Sequence, residues 1–574
     1  MSPHLLFALV FWPALAGLVV FALPAGLARI GALVVSLAEL VVVSAMAFNL
    51  QPLPGWQFED RWDWLPRLGL RWHAGVDGIS GFLVLAVALM LVLAILAVPD
   101  AKERPATFSA AGGSDPVPYP LPGKAFYYGL LLFAAAMIGA LVSLDLLVFY
   151  VFWELMLLPA FFLVGMWGGT RRIAATVKFA LMTLVGSVTM LGAILYLGAQ
   201  AAAVGARWPF DYGSALALHF TALQATLLFL AFMAAFIVKI PLFPFHVWLP
   251  GAYGEAPTAA VFLMSGVMAK LGTYGLIRFA IPLFPHVASI SAAWWSALAV
   301  IGIVYGSFLA LGQGDAKQVI AYSSFSHLGW ITLGLFALDS VGLTGGVYQM
   351  LSHAVATGAL FLLVGMLWER RGTGAIARFG GLAHQAPIMA TCFGIVALAS
   401  VGLPGLNGFI GEFMILLGAW GQSPVRAILG ATGVILGAAY MLWLVQRLMF
   451  GPVPSGPPIA DLRPREALAV VPLVVLTVVM GLYPMPILDR IEPATNALMA
   501  RVDAGAVALA QAGASTSGRA GTIVASTGLW QVPSSAAQSD DTSPRALGAA
   551  SVAAGSRGGA ARIVAVIAKT ARVR

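Results

Sequence analysis

The feature that most constrains this chain is a succession of fourteen apolar runs, each about 20 residues long, between residues 4 and 488. Inside a bilayer every backbone N–H and C=O must be satisfied within the protein, so only helices and closed barrels can span it. The short alternating segments of a barrel are not visible. The sequence therefore predicts an all-α polytopic membrane protein of about 14 transmembrane helices. Their expected positions are near 4–22, 29–48, 78–98, 125–143, 145–167, 174–199, 221–249, 256–281, 293–312, 317–338, 343–368, 387–419, 425–449 and 466–488. Only 9% of the residues are charged, against about 25% in soluble domains. A wet loop, Gln51 to Asp77, is expected to form a hairpin over the membrane surface. From about 495 the chain turns rich in Ala, Gly and Ser, with no span-length apolar run, and disorder is expected there.

Basic residues set a topology. Lys102, Arg104, Arg171, Arg172, Lys317, Arg370, Arg371, Arg378, Arg447, Arg463 and Arg465 fall after odd-numbered spans. Fewer fall in the other loops. The positive-inside rule then places both termini outside. The net charge of +8 resides in loops and tail, so it is no nucleic-acid signal. The single cysteine, Cys392, excludes an internal disulfide and any cysteine-based metal or iron–sulfur site.

The expensive residues carry the functional reading. Lys239, in Ala235-Phe-Ile-Val-Lys239-Ile-Pro241-Leu-Phe-Pro244, lies deep in the seventh run, at a cost of about 2.5–3.5 kcal/mol on insertion scales. Pro241 and Pro244 cannot donate to the carbonyls of Ile237 and Ile240, so the helix is expected to break beside the lysine. Free carbonyls at such a break accept a cation or a water; the competing reading is a lysine that snorkels to the interface. Glu154 lies nine residues from Asp145, roughly 13 Å into the membrane. Lys270, His327, His353 and Glu412 sit in the eighth, tenth, eleventh and twelfth runs. Six ionisable groups in apolar helices are costly to keep without a hydrophilic path. His327 alone also reads as a hydrogen-bonded structural histidine. Opposite charge and similar depth predict that Glu154 and Lys239 lie within direct or one-water reach.

A second break is expected at Gly402 and Pro404, in Ala399-Ser-Val-Gly-Leu-Pro404-Gly-Leu-Asn-Gly. Aligning Val238-Lys-Ile-Pro241 with Val401-Gly-Leu-Pro404 sets Lys239 against Gly402. The two breaks lie five spans apart, and an odd number of spans inverts the second copy, as in transporters built from inverted repeats. The organisation read from this is three N-terminal spans and loops (1–124), a first five-helix repeat (125–281, spans 4–8), a second (293–449, spans 9–13), a last span (450–490) and the tail (495–574).

Leu144-Asp-Leu-Leu-Val-Phe-Tyr-Val-Phe-Trp-Glu154, Lys239-Ile-Pro-Leu-Phe-Pro-Phe-His-Val-Trp-Leu-Pro250, Glu255-Ala-Pro-Thr258, Ala321-Tyr-Ser-Ser-Phe-Ser-His-Leu-Gly329 and Gly402-Leu-Pro-Gly-Leu-Asn-Gly-Phe-Ile-Gly-Glu412-Phe413 resemble, in that order, the antiporter-like subunits of respiratory complex I. Glutamate stands at 412 where sister subunits carry lysine. The resemblance covers roughly residues 70–450. It implies proton translocation through Glu154, Lys239, Lys270, His327, His353 and Glu412 as a subunit of a bacterial inner-membrane NADH–quinone oxidoreductase. It also implies neighbouring antiporter-like chains (L and N) as partners. NADH, flavin, iron–sulfur clusters and quinone would sit in partner subunits, with no cofactor and no metal in this chain. The lipid bilayer surrounds it and no nucleic acid is bound. The alternatives are the D-type component of an Mrp-type Na⁺/H⁺ antiporter and a non-transporting scaffold. The family's usual Trp-Leu-Pro-Asp-Ala-His is here Trp248-Leu-Pro-Gly251-Ala-Tyr253, so that loop lacks the carboxylate and imidazole that would load protons.

Overall fold

A computed structural model describes residues 4–99, 107–108, 117–118, 122–453 and 458–524. Met1–Ala512 forms one compact unit; of the second, Gly513–Arg574, the described residues are 513–524, the end of the last helix. Among the described residues, twelve helices are long and apolar enough to cross a membrane: Leu5–Ala22, Ala28–Phe48, Ser80–Ala97, Lys124–Val142, Leu146–Trp167, Arg172–Ala203, Ala222–Lys239, Thr258–Leu283, Pro285–Leu311, Ser340–Arg371, Pro424–Phe450 and Pro464–Leu482. Helix Ala316–Leu335 falls outside that count because Lys317, Gln318, three serines and His327 lower its hydropathy, yet nearly all of it is buried. With the broken pair Pro387–Ser400 and Asn407–Gln422 it completes fourteen segments.

The wet loop is a hairpin, strands Gln57–Leu65 and Leu70–Val76, as the sequence predicts. Its second strand continues into the bundle, where Leu144 N donates to His73 O. On this surface Asp211 accepts from Arg71 and lies 2.5 Å from His73 Nδ1. Burial alone would raise the Asp211 carboxyl, but those two partners hold it below the ordinary carboxylate value.

The inverted repeat is written in the backbone. Asp145 caps the fifth span through Leu147 N and Val148 N, and Asp315 caps the tenth through Lys317 N and Gln318 N. Around the first cap Leu146 N donates to Phe210 O and Tyr212 N to Leu144 O; around the second Ala316 N donates to Gly374 O and Ile376 N to Gly314 O. Both breaks are present. The seventh span stops at Lys239 and helix resumes at Leu249; the twelfth stops at Ser400 and resumes at Asn407. Each first half closes with the same bond, Leu242 N to Ile237 O and Leu403 N to Leu398 O.

That bond corrects the register read from sequence. Lys239 corresponds to Ser400, and Pro241 to Gly402. The last carbonyl that can close the half-helix fixes the alignment, whereas the two prolines sit at different distances beyond it. In the second copy Gly402 at φ 80 and Gly405 at φ 93 take the chain out of the helix, a conformation glycine adopts without steric cost. Gly408 packs so closely that an added Cβ would fall on the Ala399 carbonyl. Gly408→Val is therefore expected to force the half-helices apart and destabilise the protein by about 1–3 kcal/mol, read as a lower unfolding temperature in detergent.

Spans eight and eleven are wholly buried, while the outer spans turn one face outward. Polar groups are cheapest away from lipid, and these two central helices carry Lys270 and His353. Span eight is also irregular, with π-helical turns at Met264–Met268 and Leu276–Ala280, a feature frequent at functional sites.

The C-terminal reading needs a correction. The chain bends after Leu482 and forms a further helix, Met485–Val524, where disorder is expected from 495. Ile491, Ala494, Leu498 and Val502 bury one stripe of it, and Arg501 donates to Pro282 O and Leu216 O. Small residues hid this stripe, which gains stability only against a surface that the folded bundle supplies. Residues 525–574, like Lys102 and Arg104, lie outside the described residues.

Candidate functional site

The six ionisable residues fall into two groups. The larger group runs from Lys270 in the first repeat to His353, His327 and Glu412 in the second. Lys270 is fully buried; its Nζ donates to the Ser265 carbonyl, exposed by the π-turn, and lies 2.5 Å from His353 Nδ1. An ammonium has only donors, so with Lys270 charged His353 must accept at Nδ1 and carry its own proton on Nε2. The His353 and His327 rings stand 5.5 Å apart between centroids. His327 Nδ1 is 3.1 Å from Glu412 Oε1, and its Nε2 is 3.1 Å from Ser400 Oγ. Gln349 Nε2 donates to the same Glu412 oxygen at 3.2 Å. Both histidines, Gln349, Ser352, Thr357 and Ser400 line one small polar cavity. It offers a water the two to four polar partners it needs.

The first-half group is held less directly. Glu154 makes no direct ion pair with Lys239 among the described residues, although its charge acts on the lysine. Instead the Lys239 ammonium sits 4.5 Å above the ring of Trp153, a cation–π contact. Trp153 precedes Glu154 on the helix, so ring and carboxylate point to different sides. Matched depth fixed the height of the two residues but not the rotation of their helices. No hydrogen bond joins Lys239 to Lys270 among the described residues. Phe236 and Ile240 pack against Gly275 and Gly272 beside them.

The corrected register makes the halves comparable. Glu154 and Lys239 lie on spans five and seven; His327 and Ser400, which touch, lie on spans ten and twelve, their counterparts. The second half joins its spans through a histidine–hydroxyl contact, with Glu412 beside the same ring.

Neither neighbouring hydroxyl on span eight reaches the Lys270 ammonium. Tyr274 turns away to the Leu141 carbonyl, and Thr273 bonds the Lys270 backbone. Sequence reasoning passed over three buried features. Arg278 bonds Asp77 at 2.8 Å and stacks 4.3 Å over Trp56. Lys317 and Glu369 lie buried near the opposite end of span eight, where Glu369 accepts from Thr258. Glu39 in the second span is buried, and neither of its carboxylate oxygens has a hydrogen-bond partner among the described residues. A charge near the end of an apolar run reads as snorkelling, which masks the first two. Glu39 sat well inside its run and was legible.

The chain matches the family model of NADH:quinone oxidoreductase/Mrp antiporter transmembrane proteins over residues 143–437. It is 40% identical over 469 residues to the NADH-quinone oxidoreductase subunit M of Rhodobacter capsulatus, covering 80% of this chain and 88% of that protein. A chain of respiratory complex I from Thermus thermophilus with bound NADH superposes with a TM-score of 0.75, at 34% identity, over 86% of this chain and 99% of that one. A chain of the Mrp complex from Dietzia sp. DQ12-45-1b shares the fold, with a TM-score of 0.72 at 21% identity, over 88% of this chain and 100% of that one. Fold and site together define an antiporter-like membrane subunit. Within that class the chain belongs to the family of NADH-quinone oxidoreductase subunit M.

Proposed function

We propose that this chain moves protons across the membrane as a subunit of a NADH–quinone oxidoreductase, with Glu154, Lys239, Lys270, His327, His353 and Glu412 as the proton-carrying residues. The observation that carries the reading is the buried series Lys270–His353–His327–Glu412, in which neighbours stand at hydrogen-bond distance or share one polar cavity. A proton passed from Lys270 Nζ to His353 Nδ1 releases the one on Nε2. His327 takes it through the cavity and delivers it to Glu412, whose protonation weakens its hold on the ring. Such relays need titratable groups in reach of one another, directly or through one water. In the first half, approach of Glu154 stabilises the Lys239 ammonium and its withdrawal leaves burial to favour the neutral amine. Each tenfold change in that balance is about 1.4 kcal/mol. Passage from Lys239 to Lys270 requires the Phe236 and Ile240 side chains to admit water.

Redox groups belong to partner subunits in this reading, antiporter-like chains L and N are the neighbours, and the site is a bacterial inner membrane with both termini outside. Homologues named for subunit M and the likeness to complex I support it. An affinity-tagged chain should therefore co-purify from membranes with NADH-oxidising activity and with flavin and iron–sulfur absorbance. Purification with small membrane subunits alone, and sodium-dependent proton exchange without NADH, would instead establish the Mrp-type antiporter.

A further inference from the structure

The junction of spans five and six is basic and short of acceptors. Residues 155–210 contain Arg171, Arg172, Lys178 and Arg207 and no carboxylate. Span six, Arg172–Ala203, has no acidic residue in its first turn, so nothing on the helix itself balances the positive end of its dipole. Glu255 reaches this end from outside. It accepts from Arg171 N at 2.9 Å and lies 3.5 Å from the exposed Arg171 guanidinium, which commits it to Arg171. Arg172 makes no ion pair among the described residues. One of its terminal nitrogens donates to the Gly169 carbonyl at 3.2 Å, while its Nε is buried without a partner.

One turn deeper a second donor stands unused. Thr176 is 2% exposed, and its hydroxyl has no hydrogen-bond partner. Thr183 on the same helix, by contrast, bonds the carbonyl of Phe179. Arg172 and Thr176 share one stripe of span six and face two glycines of the span-five end. A Cβ at Gly168 would come within 2.9 Å of the Arg172 Cβ, and one at Gly165 within 3.5 Å of the Thr176 methyl.

These two donors head an apolar groove of about 170 Å³. Phe161, Phe162 and Met166 line it from span five and Ile173 and Val177 from span six, with Gly165 and Thr176 at its buried side. The five large side chains are exposed on the outside of the bundle. The groove therefore suits an occupant with a hydrocarbon chain and an anionic, oxygen-rich head. A purely apolar neighbouring helix would leave the Arg172 Nε and the Thr176 hydroxyl unpaired, at a cost. A zwitterionic lipid would bring a second cation to a site that already has an excess of them.

We propose that this groove binds an anionic phospholipid. Arg172 and the first-turn N–H groups of span six take the phosphate, as helix N-termini commonly do. The Thr176 hydroxyl donates to an ester carbonyl, and one acyl chain lies along Phe161, Phe162, Ile173 and Val177. Four residues separate Arg172 from Thr176, about 6 Å along the axis. Their order, with arginine at the helix start and threonine deeper, is the order in which phosphate and ester enter a bilayer. The bound lipid ties the end of span five, the helix of Glu154, to span six.

The test uses the chain purified with its native assembly, delipidated, and reconstituted in phosphatidylcholine vesicles containing a trace of a phospholipid with a photoreactive acyl chain. The probe is either phosphatidylglycerol or phosphatidylcholine, and peptide mass spectrometry reads the label on residues 161–177. Phosphatidylglycerol should label this stretch about fivefold more, the equivalent of about 1 kcal/mol for one basic side chain at an anionic lipid. Arg172→Gln should remove that preference, and Thr176→Val should weaken it. Excess inorganic phosphate at constant ionic strength should not compete. Competition would assign the site to the free anion and overturn the lipid. Equal labelling by the two probes would make the groove ordinary lipid surface, and no labelling by either would make it a contact with a neighbouring subunit; both results overturn the proposal. So does a preference that survives Arg172→Gln. The comparison of probes on the wild-type chain depends on no variant folding.

Discussion

Lys270→Met is expected to abolish proton transfer through this subunit while the protein still folds and assembles. Methionine fills the same space in span eight but removes the amine that stands 2.5 Å from His353 Nδ1. Loss of a positioned acid or base typically slows proton transfer by about 10²–10⁴-fold. The structural cost is smaller. His353 Nδ1 and the Ser265 carbonyl each lose one partner, about 1–3 kcal/mol, offset by the removal of a buried charge. Lys270→Arg is expected to fail as well, because guanidinium does not release its proton and its planar fork does not fit one imidazole nitrogen and one carbonyl. The measurement is proton uptake per NADH oxidised in vesicles with the complex quantified. Full coupling in both variants would show Lys270 to be a packing residue.

The second large effect is on stability. Arg278→Met should leave Asp77 charged, buried and without its cation, a loss of about 3–5 kcal/mol. The remaining partners of Asp77 are the N–H groups of Ile79 and Ser80 and the Ser80 hydroxyl, which do not neutralise it. Tyr274 and the stack on Trp56 lose packing at the same time. The expected result is little assembled protein and a markedly lower unfolding temperature in detergent. Asp77→Asn combined with Arg278→Met should recover much of the loss, since removing both charges removes the penalty. If the double variant is as unstable as the single, the pair is not what holds the hairpin end of span eight.

Both predictions concern residues inside apolar runs, yet the chain announced them unequally. Lys270 was legible because a cation in the centre of twenty apolar residues has no cheap solution except a partner or a path. Arg278, Lys317 and Glu369 lie near span ends, where a long side chain that reaches solvent and one that turns inward look alike. The end of span eight turns Arg278 inward because the hairpin folds back over it and brings Asp77 within 2.8 Å. Contacts that span two hundred residues of sequence leave no local pattern.

The sequence by itself determined the span count, the two broken helices, the inverted arrangement of the repeats and the six ionisable residues that stand deep in the apolar runs. Each follows from a cost that is local: apolar length, a missing N–H at proline, a charge in hydrocarbon. Only the tertiary structure decided which of those residues meet. It placed Lys239 on Trp153, joined Lys270 to His353, set His327 between Ser400 and Glu412, and gave the stretch after 495 a surface on which to become helical. Depth along a helix is a matter of counting residues at 1.5 Å each. Which way a side chain faces at that depth depends on how every neighbouring helix is rotated, and that rotation is fixed by packing across the whole bundle.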